Sequence, residues 1–322
     1  LEAYAAGVNA WLREVNAKAL GRGAPEMWLF PQAVSPWQPA DSLALLKLMA
    51  LQLNGHLEAE VRRARLSLAL DPARVADLMP EAPGAGVAAL PDYAALVPGP
   101  LPRFAALPPR PRDPLGPPSG LPFAGASNAW AAGVSRTGSG STLLASDPHL
   151  PLSAPGLFYL ARVELSSGGV IGGTIPGIPA VLSGRSADLG WGITSSWVDD
   201  LDVYAEEVNP QDAGQYRTPD GWAAFETRDS IIQIAGAPAE TLRLQWTENG
   251  PVLGPDDFGL GLVRPPGHVM AVRWTALSDR DTTMTAAMAI MRAASVEDAV
   301  EAARLFVAPS QNLVVADRNR VA

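Results

Sequence analysis

The chain contains no cysteine. That removes disulfide frameworks, zinc–thiolate sites and cysteine nucleophiles, because each needs a thiol. It leaves the compartment open, since oxidising compartments also hold cysteine-free proteins. Histidine is scarce: His56, His149 and His268 are the only three, too few for a histidine-rich metal centre. Cations are outnumbered, with 24 Lys and Arg against 33 Asp and Glu, for a formal net charge of −9. Nucleic acid and anionic membranes both require clustered Lys and Arg, so neither is expected as a partner. Charge runs are short and mixed in sign, as on a solvated acidic surface. No uninterrupted apolar run reaches the ~18 residues of a membrane-spanning helix, and these residues hold no secretory signal.

What is present is the composition of a globular protein with a sizeable core: 322 residues, 48% apolar and 18% charged. One large domain or roughly two ordinary ones would fit. The first residue is Leu1, inside a helical pattern in which Leu1, Tyr4, Ala5, Val8 and Leu12 share a face. The last, Ala322, follows an apolar strand-like run. Both ends are expected to be cuts in a longer chain, with any targeting segment upstream.

Residues 1–85 read as helical. Asp41-Ser42 is a candidate cap for a helix over Leu43–Leu53, a second helix covers Glu58–Leu70, and prolines break Trp28–Pro39 into a loop. Pro98 to Pro122 holds ten prolines in 25 residues without a hydrophobic period. Such a segment cannot satisfy its backbone in a helix or central strand, so an exposed or disordered linker is expected. From Ser127 onward short strands dominate: 127–134, 141–146, 158–165, 169–175, 180–182, 189–195, 201–207, 231–234, 242–247 and 269–274. Two helices follow, Thr282–Arg292 and Val296–Phe306, the second opened by a capping-box variant at Ser295 and Asp298. A last strand covers Gln311–Asp317. Helices, many strands, helices and a strand predict a layered α+β protein.

The boundary Gly125-Ala126-Ser127-Asn128-Ala129-Trp130 suits a cleavable bond. A serine hydroxyl can attack the carbonyl that precedes it, and rupture leaves that serine with a free α-amine. With a reference pKa near 8, the amine can serve as base for its own hydroxyl, so nucleophile and base share one residue.

Ser127-Asn128-Ala129-Trp130 resembles the Ser-Asn-x-Trp start of the β-chain in the penicillin acylase family of N-terminal-nucleophile hydrolases. The resemblance continues in register. It includes Asp147-Pro148-His149-Leu150, then Gly190-Trp191-Gly192-Ile193-Thr194 through Trp197-Val198-Asp199-Asp200-Leu201-Asp202, then Gln311-Asn312-Leu313-Val314-Val315-Ala316-Asp317. In the front part it includes Tyr4 to Ala10, Pro36-Trp37 with Asp41, and Glu60, so it spans essentially the whole chain. It implies an αββα four-layer sandwich, incomplete at both ends. It also implies a precursor cut into associated chains: residues 1–90 as helical α-chain part, 91–126 as spacer, and 127–322 as the N-terminal part of the β-chain.

The resemblance further implies roles. Ser127 attacks the amide carbonyl of a small-molecule substrate. The main-chain N–H of Ser195 and the Nδ2 of Asn312 hold the oxyanion. His149, the twenty-third residue counted from Ser127, orients or tunes the nucleophile. It resembles the histidine found there in acyl-homoserine-lactone and cephalosporin acylases, and it points toward aliphatic acyl chains. Leu150 and Trp197 line the acyl pocket. Glu60, Asp199, Asp202 and the Leu201 carbonyl match a structural calcium site, whose oxygen donors suit Ca²⁺. No organic cofactor is implied, and family members are usually exported to the periplasm. The chain departs from the family at Asn249-Gly250-Pro251, where a histidine often precedes Gly-Pro. It also stops soon after Asn312, whereas the family β-chain runs on through parts of the substrate pocket.

Three other readings stand beside this one. Gly125 to Ala129 approximates the Gly-x-Ser-x-Gly elbow of α/β-hydrolases, but that elbow needs a strand before the serine and a helix after it. A truncated or unprocessed member would fold without reacting, because with Ala126 attached the α-amine is an amide. A carbohydrate-binding module predicts exposed tryptophans, whereas most of the nine here lie in strand-like or helix-like runs and are expected in the core.

Overall fold

The computed structural model describes residues 1–29, 32–79, 93–97, 127–150, 154–196, 198–234 and 236–322. Among these, the helices are α1 (Glu2–Asn16), α2 (Pro39–Leu53), α3 (His56–Ser67), α4 (Pro72–Leu78), α5 (Thr283–Ile290) and α6 (Val296–Ala303). The strands are β1 (Ser127–Ala132), β2 (Leu143–Pro148), β3 (Tyr159–Leu165), β4 (Gly168–Thr174), β5 (Val181–Arg185), β6 (Gly190–Ser195) and β7 (Leu201–Glu207). They continue with β8 (Gln215–Thr218), β9 (Gly221–Ala224), β10 (Glu226–Ile232), β11 (Glu240–Thr247), β12 (Gly250–Leu253), β13 (His268–Trp274) and β14 (Gln311–Ala316). The chain is α+β, and it divides into two compact units. The expected proline-rich spacer lies outside the described residues, apart from a single helical turn at Tyr93–Leu96.

The first unit is Leu1–Leu53, Gly120–Trp197 and Arg280–Ala322. Its five-stranded antiparallel sheet has the order β14-β6-β5-β4-β3. One face of the sheet is apolar because Val170, Val181, Trp191 and Val315 all point that way. Leu46 and Met49 of α2, Met284, Ala287 and Ile290 of α5, and Val296, Ala299 and Ala302 of α6 cover it. Each fully buried aliphatic side chain there contributes about 1.5–3 kcal/mol. An apolar cavity of about 70 Å³ remains between α2, α5 and the sheet. The opposite face carries the β1–β2 hairpin. Close approach is possible there because β6 presents Gly192: a Cβ at that position would lie 2.4 Å from the Cβ of Ser146 on β2. On α1, Asn9 exchanges two hydrogen bonds with the Trp37 backbone and Asn16 two with Val34, so the extended segment before α2 lies along the helix.

The second unit is Asn54–Ser119 and Val198–Asp279. Its antiparallel sheet has the order β10-β11-β12-β13-β7, with a separate β8–β9 hairpin. Val61 and Ala64 of α3 pack with Leu260, Val263, Met270 and Val203. The Tyr93 hydroxyl donates to the Val263 carbonyl, and burial pushes its pKa up to about 12. The Asn249-Gly250-Pro251 turn is fixed from below. Buried Glu206 accepts from Asn249 Nδ2 at 2.8 Å and from Thr247 Oγ1 at 3.2 Å. Only glycine fits at position 250, where φ is +125° and a Cβ would stand 2.1 Å from the Val272 carbonyl.

Some expectations need correction. Asp41-Ser42 does not stand at the N-cap position of α2. The helix starts at Pro39, a residue suited to a first turn because it has no N–H to satisfy. Asp41 instead reaches back to the Gln38 N–H at 2.7 Å, and buried Ser42 accepts from Trp37 Nε1 at 3.2 Å. The tryptophans are not mostly core: Trp11, Trp28, Trp130 and Trp222 are exposed, and only Trp191 and Trp274 of those described are fully buried. Lying on a strand or helix says which way a ring points, and an outward face leaves it in solvent.

Candidate active site

Ser127 is the first residue of β1 and stands opposite Pro148 in an antiparallel ladder that ends at Ala132 opposite Leu143. Two contacts orient this hairpin on the sheet. Thr142, just before β2, donates to the carbonyl of Asp317, just past β14. Further along, Ser146 faces Gly192. Because β14 and β6 pair from Ala316–Gly190 to Gln311–Ser195, β2 runs beside β6 in the same sense. The Ser127–Pro148 end of the hairpin therefore lies toward the end of the sheet that holds Thr194, Ser195 and Asn312.

Strand periodicity places the side chains. Trp191 and Leu313 face the helices. Gly192, Thr194 and Asn312 therefore share the hairpin face. Asn312 is exposed there, and its Nδ2 donates to Thr194 Oγ1 at 3.1 Å and more weakly to the Ser195 carbonyl at 3.4 Å. Thr194 escaped the sequence reading, although the alternation Trp191-Gly192-Ile193-Thr194 was enough to put it on this face.

The main chain of Ser195 is set by the ladder. Ser196 N–H donates to the Ser310 carbonyl at 3.2 Å, which makes that pair hydrogen-bonded. Antiparallel pairs alternate, so at the next pair, Ser195–Gln311, the N–H of Ser195 turns away from β14. It points toward the β5 side, where β5 joins β6 only at Gly184–Trp191 and Arg185–Gly190. Val315 obeys the same alternation, since its N–H and carbonyl both turn outward to Ala322. A strand end with an N–H aimed past the paired stretch, beside a side-chain amide, can hold a developing negative charge.

His149 follows Pro148 directly. Its Nε2 is 2.8 Å from Asp147 Oδ2, and both side chains are exposed. Leu150 is half-buried just past β2. Trp197 lies outside the described residues.

The residues expected as cation ligands all fall in the second unit. Glu60 is on α3, Asp199 precedes β7, and Leu201 and Asp202 begin it. Leu201 is buried. Burial raises the Glu60 pKa, and the charges of Asp199 and Asp202 raise it further against Arg63. Asp202 is also raised by burial and then by Asp199, against Arg273. Asp200 is committed elsewhere, accepting from Asn54 Nδ2 at 2.6 Å and Thr275 Oγ1 at 3.2 Å. The carboxylates thus repel one another, but among the described residues no three His, Asp or Glu groups form a ready-made metal cluster. None of the helices among the described residues is long and apolar enough to cross a membrane.

Comparison with known proteins decides the family. The family model for penicillin amidase matches residues 1–322. The chain belongs to the penicillin amidase family. It is 28% identical over 339 residues to an acyl-homoserine lactone acylase, QuiP, of Pseudomonas aeruginosa, an alignment covering 99% of this chain and 38% of that protein. It is 25% identical to the penicillin acylase 2 proenzyme of Pseudomonas sp. strain SE83, over 98% of this chain and 40% of the proenzyme. Among solved structures, a thermostable penicillin G acylase from Alcaligenes faecalis matches with a TM-score of 0.52 and 25% identity, covering 60% of this chain and 33% of that one. The chain thus spans well under half the length of these acylases.

Proposed function

We propose that this member of the penicillin amidase family hydrolyses N-acyl amides through an acyl-enzyme on Ser127. What supports the reading is one arrangement: the first residue of β1 lies toward the sheet end that carries Ser195 and Asn312, and the Asn312 amide stands on the sheet face that the hairpin covers.

In this mechanism the Ala126–Ser127 bond is first cut, which frees the Ser127 α-amine. Ser127 Oγ then attacks the substrate carbonyl while the α-amine accepts the hydroxyl proton. The oxyanion is held by Ser195 N–H and Asn312 Nδ2. As the C–N bond breaks, the α-amine returns the proton to the leaving nitrogen, giving a free amine and an ester on Ser127. Water, deprotonated by the same amine, attacks the ester and releases the carboxylic acid. His149, held by Asp147, tunes the amine and hydroxyl. Leu150 and Trp197 line the acyl pocket.

The proposal extends to the rest of the protein. The helix layer, the five-stranded sheet and the hairpin belong to an αββα sandwich. The α- and β-chains stay associated after processing, and the protein works in the periplasm. Glu60, Asp199, Asp202 and the Leu201 carbonyl hold a structural Ca²⁺, for which oxygen donors and mutually repelling carboxylates are the fitting chemistry. Acyl-homoserine lactones with aliphatic chains are the preferred substrates over phenylacetyl penicillins, on the strength of His149.

Intact-mass analysis with N-terminal sequencing tests the reading. The expected result is a new chain starting at Ser127, with amide turnover that is lost in Ser127→Ala. A single uncut chain, or full turnover by a processed Ser127→Ala protein, overturns it. A panel of acyl-homoserine lactones and phenylacetyl amides then decides the acyl preference.

A further inference from the structure

We propose that Thr283, held by a Lys47–Asp281 ion pair, is a positioning residue for the oxyanion-binding pair Ser195 and Asn312. This rests on the role given to that pair above. Thr283 is the first residue of α5 and is 1% exposed. Its hydroxyl donates to Asp281 Oδ1 at 2.6 Å and accepts from the backbone N–H groups of Val307 and Ala308, both at 3.0 Å. A hydroxyl has one donor and two acceptor sites, so all three are used.

Asp281 orients that hydroxyl. Its Oδ1 also accepts the Thr283 N–H at 2.9 Å, and its Oδ2 accepts Lys47 Nζ from α2 at 2.8 Å. Burial pushes the Asp281 carboxyl up, but the hydrogen bonds from Lys47 and Thr283 outweigh it and hold the group below its usual range. The carboxylate stays ionised and acceptor-only, which forces the Thr283 proton toward it and both lone pairs toward the loop. Next door, Thr282 Oγ1 donates to the Leu305 carbonyl at 2.6 Å. The N-terminal end of α5 therefore grips the loop at Leu305, Val307 and Ala308.

That loop leads straight into the site. Two residues after Ala308, the Ser310 carbonyl accepts the Ser196 N–H, the bond that turns the Ser195 N–H outward. Four residues after Ala308 comes Asn312. An apolar side chain at 283 would fill the same volume but would take a hydrogen-bond partner from the Val307 and Ala308 N–H groups and from Asp281 Oδ1, a costly loss in an interior. What the polar arrangement adds is direction: it fixes two N–H groups, and with them the entry to β14.

The test uses the mature protein with Thr283→Val, Thr283→Ser and, as a control, Ser295→Ala, which weakens α6 away from the loop. Displacement of distant supports can cost up to about a hundredfold in rate, so Thr283→Val should lower kcat on the order of ten- to a hundredfold with KM within about twofold. Amide hydrogen exchange across residues 305–312 should rise about tenfold, the loss of a buried hydrogen bond. Thr283→Ser should track the wild type in both, and Ser295→Ala should lower the melting temperature while keeping kcat. Unchanged exchange in Thr283→Val overturns the anchor. Faster exchange with unchanged kcat overturns the positioning role. A processed wild-type protein that hydrolyses no amide overturns the function proposed for Ser127 and the catalytic half of this inference, while the exchange still decides whether Thr283 fixes the loop.

Discussion

A side-chain amide at a strand end has two protons to give. Asn312 directs its amide to Thr194 Oγ1 and the Ser195 carbonyl, so one short polar neighbour keeps the group on the hairpin face before any substrate arrives. Removing one oxyanion donor typically costs about 10²–10³ in kcat. Asn312→Ala is expected to lose that much, with Ser127 still processed and still open to an amide-independent acylating agent; steady-state kinetics beside mass labelling of Ser127 measures both. Loss of labelling as well as turnover would mean that Asn312 acts on the serine itself. Asn312 was legible in sequence because it stands in an apolar run that matched the family. Thr283 was not: Lys47 and Asp281 lie far apart in the chain, and neither carries a local signal of the other.

Elements were legible where pattern and environment agree. The bounds of β7 match the sequence expectation because Asp199-Asp200 precede Leu201 and Asn209-Pro210 stop the strand just beyond Glu207. The Ser295–Asp298 capping box was read and is present on both its arms. The short strands β8, β9 and β12 were missed because four residues are too few for alternation to declare itself. The capping region also sets an acid response. Asp298 is held below its usual pKa by the Ala294 and Ser295 N–H groups and the Ser295 hydroxyl. Asp317 is held below its own by the Asn319, Val296 and Arg320 N–H groups. A folded-state pKa below the unfolded value means that the unfolded chain binds more protons as pH falls. The stabilisation is therefore complete above the ordinary Asp value of 3.8 and is lost as pH drops through the folded values. Thermal melts from about pH 6 to about pH 2 should show this loss, with a shallower acid limb in Asp298→Asn; an identical limb in that variant would remove Asp298 from the account.

At the scale of the whole chain, the residues proposed for catalysis and those proposed for cation binding fall in different units. Ser127, His149, Ser195 and Asn312 fall in the first, whereas Glu60, Asp199, Leu201 and Asp202 fall in the second. A cation bound only by the folded second unit would stabilise it by RT ln(1 + [L]/Kd), about 2.7 kcal/mol at a hundredfold excess over Kd. Calorimetry with Ca²⁺ and with a chelator should show a calcium-dependent rise in melting temperature that Glu60→Gln and Asp202→Asn abolish. A rise that persists in both variants would place the ion elsewhere. The β1 ladder carries one more consequence. Among the described residues its rungs run from Ser127 with Pro148 to Ala132 with Leu143, all downstream of the Ala126–Ser127 bond. Scission on the N-terminal side of Ser127 therefore leaves each of these rungs in place. Maturation at that bond would create a fresh chain terminus that the ladder already holds against β2.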